Sequence, residues 1–261
     1  MEEQAVKQCC ATFYGSELAR MLLGDSFHPG GTRLTERLGE LLELTSQSYV
    51  LDVASGKGTS AIHLAESFGC SVTGVDLSEE SVRLATEEAS KRGLDRLVSF
   101  QLDDAERLPF GDEAFDAILC ECAFCTFPSK SIAAQEFYRV LKPGGQLGLS
   151  DLTRTEATIP GLEGLLSWIA CIGDALPAER YVAILQQAGF QVMRTEDHSD
   201  ALVEMVRQIQ AKLLGAEIMA GLKKIDLPGV DFATGRQFAQ AALQATSSGT
   251  LGYTVIAAMK L

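Results

Sequence analysis

The chain has 261 residues, of which 46% are hydrophobic and 22% are charged, the ordinary mixture of a globular protein. It carries 35 Asp and Glu against 22 Lys and Arg, a formal net charge of −13, so its surface should repel phosphates and no nucleic-acid partner is expected. No apolar stretch is long enough to cross a bilayer, the first residues lack a signal-peptide pattern, and seven Cys is an odd number for a disulfide scaffold. We therefore expect a cytoplasmic protein with free thiols and no membrane partner.

The predicted elements alternate between strand and helix after a helical start. A helix over 32–44 has leucines at helical spacing, and from residue 49 short apolar strands alternate with helices, as in βαβ units around a parallel sheet. Strands are predicted at 49–54, 71–75, 97–102, 115–120, 146–150, 190–195 and 251–258, and helices at 58–68, 79–92, 131–141, 179–188, 200–222 and 232–245.

These elements predict an α/β fold, a doubly wound and mostly parallel sheet of seven strands with helices on both faces. Residues 1–48 are expected to form a helical lid that covers the ligand, and residues 49–261 the main domain. Within that domain, 157–178 and 199–247 are predicted to be helical insertions that act as lids near the carboxyl edge of the sheet. Open α/β sheets bind their ligands at that edge.

A glycine-rich loop follows the first predicted strand. Gly56 and Gly58 permit positive φ and a close approach of a ligand to the backbone. The dinucleotide pattern G-x-G-x-x-G would end at Ala61, which it tolerates, but Asp52 in the strand would repel a pyrophosphate. A phosphate-free ligand is therefore favoured, and a nicotinamide oxidoreductase is kept as an alternative.

Acidic residues follow the next two predicted strands. Asp76 ends the second strand, where a carboxylate can accept hydrogen bonds from both ribose hydroxyls of a nucleoside. Asp103 and Asp104 follow the third strand, where a carboxylate can accept a hydrogen bond from the adenine amine. S-adenosylmethionine fits this pattern, because it combines adenosine with a sulfonium and an amino-acid tail and has no phosphate.

Residues 49–151 resemble the core of the class I S-adenosylmethionine-dependent methyltransferases, type 11. The resemblance rests on ordered motifs: LDVASGKG at 51–58, GVDLS at 74–78, DA at 104–105, LPF at 108–110, FD at 115–116 and RVLKPGG at 139–145. The run HPGGTRLT at 28–35 resembles the cofactor-covering segment of members that act on small molecules. Ser55 stands where the family usually has Cys or Gly.

The resemblance implies a Rossmann-like fold and a transferase that methylates a small molecule by in-line displacement and releases S-adenosylhomocysteine. No metal is implied, and a monomer or homodimer is expected. By position, it implies cofactor contacts from Asp52, Ala54, Ser55, Gly56 and Gly58 around the methionine part, Asp76 and Leu77 at the ribose, Asp104 and Ala105 at the adenine, and Glu121 on the methionine or substrate side.

Three Cys give a hypothesis for the methyl acceptor. Cys122 and Cys125 follow the fourth predicted strand and Cys171 lies in the first insertion, a pattern that resembles the arsenite methyltransferases. Cys122 and Cys171 match the family's positions, and that resemblance implies that they bind substrate as soft thiolate ligands. The chain departs from the family in having no Cys after residue 171, and Cys125 is the candidate that would substitute as the third ligand. The alternative reading is that they are small buried hydrophobes. A non-catalytic module that only binds or senses the cofactor is a further alternative.

Other side chains near the predicted edge have two readings each. His28 is expected to be a lid contact and could also serve as a general base. A group of aromatic side chains is read either as core or as a cage for a cationic amine acceptor: Phe13, Tyr14, Phe27, Phe124, Phe127 and Trp168.

Overall fold

The structure is a computed structural model that describes residues 28–155, 158–163, 171–222 and 231–261. Helices and strands alternate along most of the chain. The strands are β1 Tyr49–Val53, β2 Ser71–Asp76, β3 Val98–Leu102, β4 Phe115–Glu121, β5 Leu141–Arg154, β6 Phe190–Asp197 and β7 Leu251–Lys260. The helices are α1 Gly31–Leu41, α2 Thr59–Phe68, α3 Glu79–Lys91, α4 Lys130–Val140, α5 Ala178–Gln187, α6 Ser199–Gly221 and α7 Phe232–Ser247, with a 3₁₀ turn at Phe124–Thr126.

The seven strands form one sheet in the order β3-β2-β1-β4-β5-β7-β6. The five strands from β3 to β5 are parallel, and β7 runs antiparallel to both β5 and β6. The strand order reverses direction between β1 and β4, the switch point where α/β sheets open a crevice for ligands. The predicted fold class, a mostly parallel seven-stranded α/β sheet, is confirmed.

The apolar strands become buried because helices pack on the two faces of the sheet. Val50, Leu51 and Val53 of β1 are fully buried, as are Ile118 and Leu119 of β4. Their nearly continuous apolar sequence is the pattern of central parallel strands that are covered on both faces. No helix of the described residues is long and apolar enough to cross a membrane.

β5 is longer than predicted and contains an irregularity. The predicted strand 146–150 is preceded by Pro143 and Gly144, which suggest a turn that ends a helix. The structure instead starts β5 at Leu141, and the pairing with β4 shifts between Phe115 and Ala117, so that residues 142–145 bulge out of the ladder. A bulge accommodates Pro in a strand because it removes the need for a backbone donor.

The predicted insertions are described in part. Residues 199–247 do contain helices, α6 and α7, whereas residues 158–163 and 171–177 are not helical. The prediction that 157–178 is a helical insertion acting as a lid stays a prediction. Residues 1–27, 156–157, 164–170 and 223–230 lie outside the described residues, and with them the aromatic candidates Phe13, Tyr14, Phe27 and Trp168.

Candidate functional site

The glycine-rich loop between β1 and α2 lies at the switch point of the sheet. Ala54, Gly56 and Gly58 have φ of 58°, 52° and 77°, all in the left-handed region. A Cβ placed on Gly56 would meet no atom within 4 Å, so this residue faces open space. A Cβ on Gly58 would lie 2.4 Å from Cζ of Phe100 on β3. Gly56 therefore leaves room for a ligand, whereas Gly58 is required for packing inside the protein.

Asp76 at the end of β2 holds this loop. One carboxylate oxygen accepts a hydrogen bond from the Gly56 N–H at 2.9 Å, and the other accepts one from the Ser78 N–H at 2.8 Å. Burial raises the pKa of Asp76, and the two N–H donors oppose the rise. Each carboxylate oxygen can accept a second hydrogen bond, so both are available to a diol. Leu77, the next residue, is 43% exposed beside it.

Asp52 and Glu121 are buried carboxylates at the ends of neighbouring strands β1 and β4. Oδ2 of Asp52 and Oε1 of Glu121 have no hydrogen-bond partner, and neither does Oγ of Ser55 in the loop between them. Burial raises the pKa of Asp52 well above its ordinary value, and the carboxylates of Glu121 and Asp76 add to the rise. Unpaired buried polar atoms are rare in folded proteins, and here they indicate that a ligand with donors or positive charge completes the site.

Glu121 also connects the sheet to the segment at residues 28–35. Its Oε2 accepts hydrogen bonds from Thr35 Oγ1 at 2.9 Å and from Ser60 Oγ at 2.6 Å, and His28 Nε2 lies 3.4 Å away. His28 is buried, with only 8% of its surface exposed. His28 therefore packs against Glu121 at the end of β4, and its predicted role as a lid contact stays a prediction. The sequence does not single out Thr35 and Ser60, because each is one hydroxyl within an otherwise ordinary helix.

Asp104 and Ala105 form a tight turn after β3. Oδ1 of Asp104 accepts a hydrogen bond from the Glu106 N–H at 3.0 Å, and Ala105 is buried. The N–H of Asp103 donates to the Asp76 backbone carbonyl at 3.0 Å, which fixes this turn beside the end of β2. The two acidic strand ends predicted to bind one nucleoside are therefore neighbours in the fold.

The three predicted Cys converge on the carboxyl end of β4. The Cys171 thiol donates to the backbone carbonyl of Cys122 at 3.6 Å, although 49 residues separate them. Cys125 and Cys171 are buried, and Cys122 is half-buried. A hydrogen bond with the Cys171 thiol, together with burial, raises the pKa of Cys122 well above the ordinary value, and burial together with the same thiol raises the pKa of Cys125. The neutral thiol form of Cys122 and Cys125 is therefore favoured.

Asp151, in β5, faces this thiol group and was not predicted as a site residue. It is fully buried; Oδ2 accepts the Cys125 N–H at 2.7 Å and Oδ1 accepts the Leu152 N–H at 2.8 Å. Burial raises its pKa to about 7, the Cys171 sulfur adds to the rise, and hydrogen bonds from Cys125 oppose it. The signal in the sequence was an acidic residue directly after the apolar run 146–150.

Because the folded protein holds Asp151 protonated up to about pH 7, its ionisation should weaken the fold as the pH rises. We expect wild-type unfolding free energy to fall by about 2 kcal/mol from pH 5.5 to 8 through this residue alone. The Asp151→Asn variant has no titrating group at this position, so its unfolding free energy should not show this fall with pH. Urea unfolding of both proteins at several pH values measures it, and parallel curves would contradict the assignment.

Phe124 and Phe127 belong to the core and do not form a cage. Phe124 is fully buried, and its ring contacts those of Phe127, Phe137 and Tyr181 with centroids 5.7 to 6.0 Å apart. Phe127 is also buried, so both side chains belong to the core and do not support an amine cage.

Comparison with known proteins gives the family. Residues 51–149 match the family described as "Methyltransferase domain". Methyltransferase GfsG of Streptomyces halstedii is 30% identical over 203 residues, which cover 71% of this chain and 73% of that protein. The [4+2]-cyclase SpnF has the same fold, with a TM-score of 0.77 and 26% identity over 99% of this chain and 96% of its own.

A third similar protein has been solved with ligands. Phosphoethanolamine N-methyltransferase 2 of Haemonchus contortus, in complex with phosphomonomethylethanolamine and S-adenosylhomocysteine, has a TM-score of 0.77 and is 20% identical. The alignment covers 99% of this chain and 57% of that one. At this identity the likeness shows the fold alone.

Proposed function

This chain is a member of the class I S-adenosylmethionine-dependent methyltransferases, and we propose that it transfers the methyl group to a small molecule bound at the carboxyl edge of its sheet. The observation that carries the proposal is the set of unpaired buried polar atoms around the loop: Asp52 Oδ2, Ser55 Oγ and Glu121 Oε1. Gly56, in the same loop as Ser55, faces open space, so a ligand can approach the backbone there.

The residues present fit S-adenosylmethionine. Each carboxylate oxygen of Asp76 can accept one more hydrogen bond, and we assign these two positions to the ribose hydroxyls. The Asp76 backbone carbonyl accepts the Asp103 N–H, which keeps the turn with the predicted adenine position beside the end of β2. Asp52 and Glu121 each have one buried carboxyl oxygen without a hydrogen-bond partner, Oδ2 and Oε1, and these oxygens can accept hydrogen bonds from the ammonium of the methionine part. When bound, S-adenosylmethionine supplies an electrophilic methyl carbon.

The chain contributes alignment and exclusion of water. Hydrogen bonds from Thr35 and Ser60 to Glu121 hold α1 beside α2 and the end of β4, which supports the proposal that α1 covers the site. Methyl transfer requires an in-line arrangement of acceptor, methyl carbon and sulfur, and a dry site prevents water from competing. A cytoplasmic location and a monomeric or dimeric state stay predictions.

Turnover tests this function. The full chain should bind S-adenosylmethionine and form S-adenosylhomocysteine, measured by chromatography, when a suitable small acceptor is added, and a heat-denatured sample should form none. Binding without turnover on any acceptor class would favour a binding module, or a reaction of another kind such as the cyclisation named for SpnF. Binding of NADH in place of S-adenosylmethionine would favour an oxidoreductase.

A further inference from the structure

The two carboxylate oxygens of Glu121 have different surroundings. Oε2 accepts hydrogen bonds from Thr35 Oγ1 at 2.9 Å and from Ser60 Oγ at 2.6 Å. Oε1 is buried and has no hydrogen-bond partner among the described residues, and the whole side chain is only 4% exposed. A buried carboxylate is unfavourable until donors reach both of its oxygens. Glu121 is therefore held for a contact that the described residues do not supply.

His28 belongs to the same buried cluster. Its Nε2 lies 3.4 Å from Glu121 Oε2 and 3.4 Å from the hydroxyl oxygen of each of Thr35 and Ser60. The four residues come from the segment before α1, from α1, from α2 and from the end of β4. Groups from three parts of the chain thus converge on one oxygen of Glu121 and leave the other one unpaired.

Glu121 lies beside the glycine-rich loop. In the pairing of β1 with β4, Val53 lies opposite Cys120, so Glu121 is level with Ala54, the first residue of the loop. β1 separates β4 from β2, which places Glu121 two strand spacings, roughly 10 Å, from the end of β2 that carries Asp76. With the ribose assigned to Asp76, the part of the cofactor that extends toward Glu121 is the amino-acid tail.

The chemistry of the unpaired oxygens selects the ammonium group of that tail. Asp52 also has an unpaired buried oxygen, and after burial the charge of Glu121 is the largest cause of the raised pKa of Asp52. The two carboxylates therefore lie close enough to repel each other and would repel the carboxylate of the tail. An ammonium has a positive charge and three N–H donors, whereas a sulfonium has no donor.

We propose that Thr35 and Ser60 are positioning residues, which hold Glu121 so that Oε1 accepts a hydrogen bond from the ammonium of S-adenosylmethionine. Since Thr35 is part of α1, this contact couples the position of α1 to the amino-acid tail of the cofactor and not to its adenosine. The inference deepens the proposed function and rests on it, because it concerns the same cofactor site.

Two ligands that differ in the tail test this assignment. S-adenosylhomocysteine carries the ammonium, whereas 5′-methylthioadenosine keeps the adenosine and a thioether and has no amino-acid tail. Thr35→Val replaces the hydroxyl with a methyl group of similar size and should raise the Kd of S-adenosylhomocysteine at least about tenfold. The Kd of methylthioadenosine should change less than about twofold. Titration calorimetry on the full chain measures both.

Two threonine variants serve as controls. Thr35→Ser keeps the hydroxyl, so it should bind both ligands as the wild type does. Thr246 is likewise a buried threonine in a helix, and its hydroxyl donates to the Ala242 carbonyl within α7 at 2.8 Å. Thr246→Val should leave both Kd values unchanged. A Thr35→Val variant that weakens both ligands equally, or neither, would overturn the inference and make the cluster a support of the fold only.

A double-mutant cycle tests whether Thr35 acts through Glu121. Glu121→Gln should weaken S-adenosylhomocysteine by itself, and Thr35→Val added to it should cause little further loss, because effects within one network are not additive. Losses that multiply would overturn the inference. A wild type that binds neither ligand would reject the proposed function and this inference with it. A wild type that binds both ligands, with a Thr35→Val variant that weakens both equally, would reject the inference alone.

Discussion

Gly56→Ala should weaken binding of S-adenosylmethionine by at least about 30-fold, or roughly 2 kcal/mol. A Cβ at this position would extend into open space that no protein atom occupies within 4 Å, which is the space assigned to the ligand. Its φ of 52° also makes Ala unfavourable by about 1–2 kcal/mol of stability. Isothermal titration calorimetry measures the affinity and urea unfolding measures the stability.

Gly93→Ala is the matched control for this variant. Gly93 follows α3, has φ of 70°, and a Cβ placed on it would also meet nothing within 4 Å. The two variants should therefore lose similar stability, and only Gly56→Ala should lose affinity. Equal affinities for the two variants would show that the space beside Gly56 is solvent and not the cofactor site.

Asp76→Ala should reduce cofactor affinity by about 1–3 kcal/mol, or about 5- to 150-fold. The substitution removes two acceptor oxygens, which hold the Gly56 and Ser78 N–H groups and which are assigned to the ribose hydroxyls. Asp76→Asn keeps one acceptor oxygen and should give a smaller loss. Titration calorimetry with S-adenosylhomocysteine, which lacks the sulfonium charge, separates hydrogen bonding from charge attraction.

Asp112→Ala serves as the control for removal of a carboxylate. Asp112 precedes β4 at the opposite edge of the sheet, is 76% exposed and pairs with Arg139. The Asp112→Ala variant should bind the cofactor with the affinity of the wild type. An Asp76→Ala variant that binds as well as this control would make Asp76 a structural residue of the loop only.

The sheet was predictable because its strands are short apolar runs between helices with regular spacing. The limits of β1 and β2 agree with the predicted strands to within one residue at each end. β5 was predicted too short, since Pro143 and Gly144 signal a turn locally while the structure absorbs them in a bulge opposite β4. A bulge depends on the partner strand, which a local pattern does not contain.

The candidate site was predictable where function depends on consecutive residues, as in the glycine-rich loop and at Asp76. It was not predictable where residues meet only through the fold. Thr35 and Ser60 meet Glu121 across 86 and 61 residues of sequence, and Lys130 meets Asp174 across 44. The predicted substrate role of Cys122, Cys125 and Cys171 relied on a resemblance and stays a prediction, although the fold does bring the Cys171 sulfur to 3.6 Å from the Cys122 carbonyl oxygen.

The central claim is that the loop around Gly56 and the carboxylates at the strand ends bind S-adenosylmethionine. A crystal structure of the full chain with S-adenosylhomocysteine tests it most directly. We expect ligand density with the ribose hydroxyls on Asp76, the adenine beside Asp104 and the amino-acid tail near Asp52 and Glu121. A crevice that stays without ligand at saturating concentration, or density bound elsewhere on the chain, would contradict it.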